Sequence, residues 1–104
     1  MGKQPTIYIQ EDKYLSDYYE FHVTLQGVVP NDSYPLIKCL YHNDDQDNRG
    51  KYGWAHSKAL KKAFWLCTQL CIPTTRIRIK YRRNKNYRRL NKQEIKIGQK
   101  RRMK

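Results

Sequence analysis

Acidic residues are nearly missing from the last third of this chain. Residues 76–104 hold one acid, Glu94, against 14 lysines and arginines. Residues 1–75 hold eight residues of each sign, so the C-terminal stretch carries the whole net charge of +13. That imbalance excludes burying the stretch intact. Like charges repel, and an unpaired charge taken out of water carries a heavy desolvation penalty. Such a segment sits against solvent or against a polyanion.

Other scarcities narrow the class further. No apolar run is long enough to cross a membrane or to act as a signal peptide. Gly2 is followed by Lys3 in a flanking pattern that does not make a myristoylation signal. The three cysteines, Cys39, Cys67 and Cys71, are an odd number in apolar surroundings. They argue against a disulfide scaffold and for reduced, buried thiols in a cytoplasmic protein, or a nuclear one in a eukaryote. There is no internal repeat, no phosphate-binding glycine loop, no dinucleotide fingerprint and no nucleophile elbow. At 104 residues there is room for one domain.

Tyrosine, by contrast, is abundant, with nine copies. Tyrosines supply core area with a wet hydroxyl, and they can also stack on bases or bond to phosphate. The apolar pattern before residue 82 places the elements. Thr6 to Gln10 reads as a short strand, with a polar turn through Glu11, Asp12 and Lys13. Residues 18–28 are the clearest strand, because Tyr19, Phe21, Val23 and Leu25 alternate with Glu20, His22, Thr24 and Gln26. Gly27 permits a bend at its end. Residues 36–42 form a third strand, joined by a short turn-rich connection that favours antiparallel pairing.

A polar loop over residues 42–53 leads into a helix over 54–70. Ala59, Leu60, Ala63, Phe64, Cys67, Leu70 and Cys71 form its apolar stripe, Trp65 and Leu66 widen it, and Pro73 stops it. The fold class is α+β: a small, mainly antiparallel β-β-β-α-β sheet with one helix on a face and a basic C-terminal extension. Residues 1–82 make the folded domain. Residues 83–104 make a basic arm, partly disordered when unbound, in which Tyr87, Leu90 and Ile95 allow a short amphipathic helix ended by Gly98.

The fourth strand, TTRIRIKYR, carries the functional signal. Ile77, Ile79 and Tyr81 alternate with Arg76, Arg78, Lys80 and Arg82, so one face packs and the other shows four cations. Cations interleaved with Tyr, Asn and Gln are the usual contacts to nucleic-acid backbone, and an aromatic inside the run can stack on an unpaired base. The candidate contact residues are Arg76, Arg78, Lys80, Tyr81, Arg82, Arg83, Lys85, Tyr87, Arg88, Arg89, Lys100, Arg101 and Arg102. A membrane partner is disfavoured because the basic segment lacks a large apolar face. RNA is favoured over DNA, since no helix-turn-helix or basic zipper is visible and arginine-rich extensions commonly order on RNA.

Other chemistries fit poorly. Cys39 with His42, and Cys67 with Cys71, lack the spacing of zinc knuckles or ribbons. Asp44, Asp45 and Asp47 resemble a Ca²⁺ loop only in part, because Arg49 occupies a ligand position and His56 stands where a Glu is needed. His22 lacks the second histidine, at position 24, that a single-strand nickase would pair with it. No metal or cofactor is expected. The reading is a non-enzymatic nucleic-acid-binding protein, able to serve within a larger ribonucleoprotein. One alternative is an interaction protein or inhibitor, of phage or plasmid type, acting on a nucleic-acid-handling complex. The other is a small nuclease using His22.

Overall fold

A computed structural model describes residues 5–27, 34–42 and 51–100; the side chains of residues 34–36 and 51 lie outside that description. The elements are β1 (Thr6–Leu15), β2 (Tyr18–Gln26), β3 (Tyr34–His42), α1 (Lys51–Leu70), a 3₁₀ turn (Thr74–Arg76), β4 (Ile77–Lys80), β5 (Arg88–Arg89) and α2 (Lys92–Gln99). They build a five-stranded sheet in the order β3-β2-β1-β4-β5. The expected α+β class is what forms. The pairs β1–β2, β2–β3 and β4–β5 are antiparallel, and β1–β4 is parallel.

The parallel pair follows from α1. Parallel neighbours need a crossover connection, and α1 carries the chain over the sheet from edge strand β3 to the far side of β1. The register puts Ile7 beside Leu25 and Ile77, and Ile9 beside Val23 and Ile79, so one face is continuously apolar. These residues join Phe21, Cys39 and Tyr41 of the sheet and Ala55, Ala59, Leu60, Ala63, Leu66 and Cys67 of α1 in a single core.

Several boundaries differ from the sequence reading. β1 continues through Glu11, Asp12 and Lys13 to Leu15 instead of turning there. Glu11 is inward-facing, in phase with Ile7 and Ile9, and only 4% exposed. The Tyr41 hydroxyl and the Arg82 backbone N–H both donate to its carboxylate, which makes the buried position tenable. α1 begins at Lys51, before the anticipated start. It ends at Leu70, and Cys71 takes the left-handed conformation (φ 56°) while Ile72 N–H donates to Cys67 O at 2.9 Å. That is a Schellman-type end, so Cys71 is exposed at the cap and not buried on the stripe. Leu70 and Trp65 are likewise exposed. Gly27 does bend the end of β2, with φ 94°.

Beyond Arg83 the chain adds β5 and α2 to the domain. A reciprocal capping box starts α2: Glu94 N–H donates to Asn91 Oδ1 at 2.9 Å, and Asn91 N–H donates to Glu94 Oε1 at 2.8 Å. Gly98 is the penultimate residue of α2. A Cβ there would stand 2.3 Å from Phe64 Cδ2, so the missing side chain is what lets α2 lie directly on α1. The apolar content of α2 is small. Its attachment rests on Ile97, this close approach and the buried Glu94.

Candidate nucleic-acid interface

Both helices pack on one side of the sheet; on the other, no described element covers it. Period-two alternation places Tyr8, Gln10 and Asp12 of β1, His22 and Thr24 of β2, Lys38 of β3 and Arg78 and Lys80 of β4 on this open face. Register fixes their neighbours. Tyr8 lies between Thr24 and Arg78, Gln10 lies between His22 and Lys80, and Arg89 of β5 stands opposite Arg78. The sequence alternation of β2 and β4 is therefore realised, with Ile77 and Ile79 buried beneath Arg78 and Lys80.

Tyr87 folds back over this face. Its ring meets the ring of Tyr8 edge-on, with centroids 4.7 Å apart, and its hydroxyl donates to Gln10 Oε1. Lys80 Nζ lies 5.2 Å from the Tyr87 ring centroid, within cation–π range. Burial, then the nearby Asp12 carboxylate, push the Tyr87 phenol upward, so it stays a neutral donor. Gln10 Nε2 in turn donates to both Asp12 oxygens, at 3.0 and 2.8 Å. The result is an aromatic pair, Tyr87 exposed and Tyr8 half-buried, rimmed by Arg78, Lys80 and Arg89.

The thirteen predicted contact residues do not all share this surface. Arg78, Lys80, Tyr87 and Arg89 do. Arg76 sits at its margin, where its guanidinium donates to Pro5 O and Thr6 Oγ1. Arg82 departs from the anticipated four-cation row, because β4 ends at Lys80 and a turn over residues 81–84 redirects the chain. Its guanidinium lies 3.9 Å over the Tyr19 ring on the helix side. Tyr81 and Arg88 are also on the helix side. Arg83 and Lys85 are exposed in the β4–β5 connection, and Lys100 is exposed after α2. Arg101 and Arg102 lie outside the described residues.

The helix side holds a polar network that the alternation alone does not reveal. Tyr81 donates to Glu94 Oε2 at 2.6 Å, and His56 Nε2 is 2.7 Å from the same hydroxyl. With its proton committed to Glu94, the phenol accepts from His56 Nε2–H. Burial holds His56 below its ordinary value, favouring this neutral form. Arg88 closes a bidentate pair on Glu94, both bonds at 2.9 Å. Burial works to raise the Glu94 pKa, but Arg88, Tyr81 and the Asn91 N–H outweigh it and hold the carboxyl below its usual range. Burial and then Glu94 push the Tyr81 phenol upward. A cavity of about 290 Å³ beside this network is lined by Glu11, Tyr52, Tyr81, Arg82 and Arg83. The available sequence signal was the phase of Glu11 with Ile7 and Ile9.

His22 has a partner after all. Its Nε2 lies 2.9 Å from Asp12 Oδ2. Burial works to raise the Asp12 pKa, but the hydrogen bonds from His22 and Gln10 outweigh it and keep the carboxyl ionised, below its usual value. Nδ1 of His22 is shielded from solvent and makes no hydrogen bond. The imidazole is thus tied to Asp12 through Nε2. Cys39 and Cys67 are core residues whose thiols burial pushes upward. Among the described residues, no three His, Cys, Asp or Glu side chains are grouped to hold a metal ion. Asp44, Asp45 and Asp47 lie outside the described residues. No described helix is long and apolar enough to cross a membrane.

No protein-family model, curated protein or solved structure matches this chain.

Proposed function

We propose that this protein binds single-stranded nucleic acid, RNA in preference to DNA, on the open face of its sheet. The observation that carries the reading is the Tyr8–Tyr87 pair set among Arg78, Lys80 and Arg89. Exposed aromatics on a sheet stack unpaired bases without regard to sequence, and the cations around them neutralise phosphates. Arg83 and Lys85 add exposed positive charge in the β4–β5 connection that follows this face. Binding needs no metal, cofactor or covalent step. The protein acts alone or within a larger ribonucleoprotein, in a reducing compartment such as the cytoplasm, where Cys39, Cys67 and Cys71 stay free.

The test is a salt-dependent titration of Arg78→Gln/Lys80→Gln and, separately, of Tyr87→Ala. The double variant should weaken binding to all sequences about equally. For each phosphate it no longer neutralises, the slope of log K against log salt should drop by roughly 0.7 on a single strand, or 0.9 on B-form duplex. Tyr87→Ala should weaken binding by roughly 1–3 kcal/mol with little change in slope, because stacking releases no counterions. Circular dichroism checks that each variant is folded, because Arg78 and Lys80 are half-buried. Unchanged affinity and slope in the double variant would move the target to an acidic protein surface.

A further inference from the structure

Both tryptophans of the chain, Trp54 and Trp65, are on the solvent side of α1, 46% and 51% exposed. Eleven residues of helix separate them, about 16 Å. Lys58, Lys61 and Lys62 fill the interval at three- and four-residue spacing, so all five side chains share one stripe. Lys58 Nζ lies 5.3 Å from the Trp54 ring centroid and Lys62 Nζ lies 4.2 Å from that of Trp65. The stripe floors a groove of about 580 Å³ that reaches Ile37 on edge strand β3. No acid occurs anywhere in α1. This surface is on the opposite side of the protein from the open sheet face.

Trp54 and Trp65 each leave about half of a large ring in water, available for stacking. Their arrangement also selects the occupant. Lysines interrupt the aromatic surface, so there is no continuous apolar patch for a hydrophobic peptide or a bilayer. A stripe of three cations between two aromatics, with no opposing acid, complements a polyanion that also offers flat rings. Duplex presents phosphates but keeps its bases stacked away from the tryptophans.

We propose that the outer face of α1 is a second single-stranded nucleic-acid surface, with Trp54 and Trp65 stacking bases and Lys58, Lys61 and Lys62 holding the phosphates between them. It is independent of the open-face site. With surfaces on both sides, one molecule can hold two strand segments at once.

Because the two tryptophans are the only ones present, their fluorescence reports this face alone. The full chain is titrated with a short oligo-dT or oligo-U strand, following tryptophan emission and, in parallel, the anisotropy of the same strand end-labelled. Emission should fall on binding, since a stacked base quenches indole. Trp65→Ala should weaken the binding measured by quenching by roughly tenfold or more. Lys58→Gln/Lys61→Gln should lower its salt slope by roughly 0.7 for each phosphate left without its lysine. Circular dichroism checks that each variant is folded. Rising anisotropy with unchanged emission would overturn this proposal and leave the open-face reading standing. No change in either signal would overturn both. Quenching by poly-glutamate or anionic vesicles, but not by the strand, would replace nucleic acid as the occupant.

Discussion

Cys71 shows how a single backbone angle shapes the chain locally. It ends α1 in the left-handed region, where a side chain with a Cβ is strained by about 1–2 kcal/mol relative to the right-handed one. Its thiol is exposed and its backbone forms the cap, through the Ile72 N–H to Cys67 O bond. Glycine takes this conformation without strain but has more freedom to lose on folding. The balance predicts that Cys71→Gly stabilises the protein by about 0.5–1 kcal/mol, raising Tm by several degrees in a thermal melt. An unchanged or lower Tm would mean that the Cys71 side chain makes a contact worth more than the strain. Glu11 and Glu94 make the complementary point. Each breaks an apolar or cationic pattern and is only 4% exposed; Glu11 takes its donors from distant parts of the chain, and Glu94 takes its own from Tyr81, Arg88 and Asn91.

Among the elements, α2 departs most from what its composition suggests. Residues 92–99 contain two isoleucines and a net positive charge, which alone would not hold a helix of eight residues in water. The helix is held by the Asn91–Glu94 capping box, the Glu94 bonds to Arg88 and Tyr81, and the Gly98–Phe64 approach. Residues 83–100 are accordingly expected to contribute to stability as well as to charge. Truncation after Arg83 would take the Glu94 acceptor from Tyr81 and uncover Phe64 on α1. We expect the truncated chain to lose roughly 3 kcal/mol or more in urea unfolding, from the orphaned polar groups and the uncovered apolar area together. Equal stability of the two chains would show that the arm merely rests on the domain. β4 illustrates the opposite case, where alternation over four residues is enough to set both faces.

For the molecule as a whole, the buried network ties stability to pH. Burial lowers the His56 pKa from its ordinary 6.5, against an opposing pull from Glu94 and Glu11. The unfolded chain then takes up a proton that the folded one refuses, so stability falls as pH drops below 6.5 toward the folded value. Glu94 and Asp12 are held below their ordinary 4.5 and 3.8, so what they contribute is present above those values and is lost as pH falls through their lowered ones. Every contribution has the same sign, and self-repulsion of a chain at +13 adds to it on acidification. Tm should therefore fall in two stages, the first as pH drops below His56's ordinary 6.5 and the second below Glu94's ordinary 4.5. His56→Gln keeps a neutral donor for Tyr81 and should flatten the first stage alone. A first stage of the same size in that variant would show that His56 titrates freely.

Four of the five strands and the main helix were legible in the amino-acid order because they are periodic; β5, only Arg88–Arg89, was not. Phe21, Val23 and Leu25 against His22 and Thr24, or Ile77 and Ile79 against Arg78 and Lys80, can bury one face only as strands. The chain order also established that the cations crowd its last third and that β4 shows Arg78 and Lys80 outward. Tertiary structure decided what depends on partners distant in sequence. The parallel β1–β4 pairing requires α1 to cross the sheet, and only that crossing sets Tyr8 beside Arg78. The return of the chain after β4 lays Tyr87 on Tyr8 and sends Arg82 and Arg88 to the other side. Glu11, Tyr41, Tyr81 and Glu94 come from four separate elements and connections. A buried carboxylate is acceptable only where the fold supplies its donors, and local patterning carries no record of which donors those are.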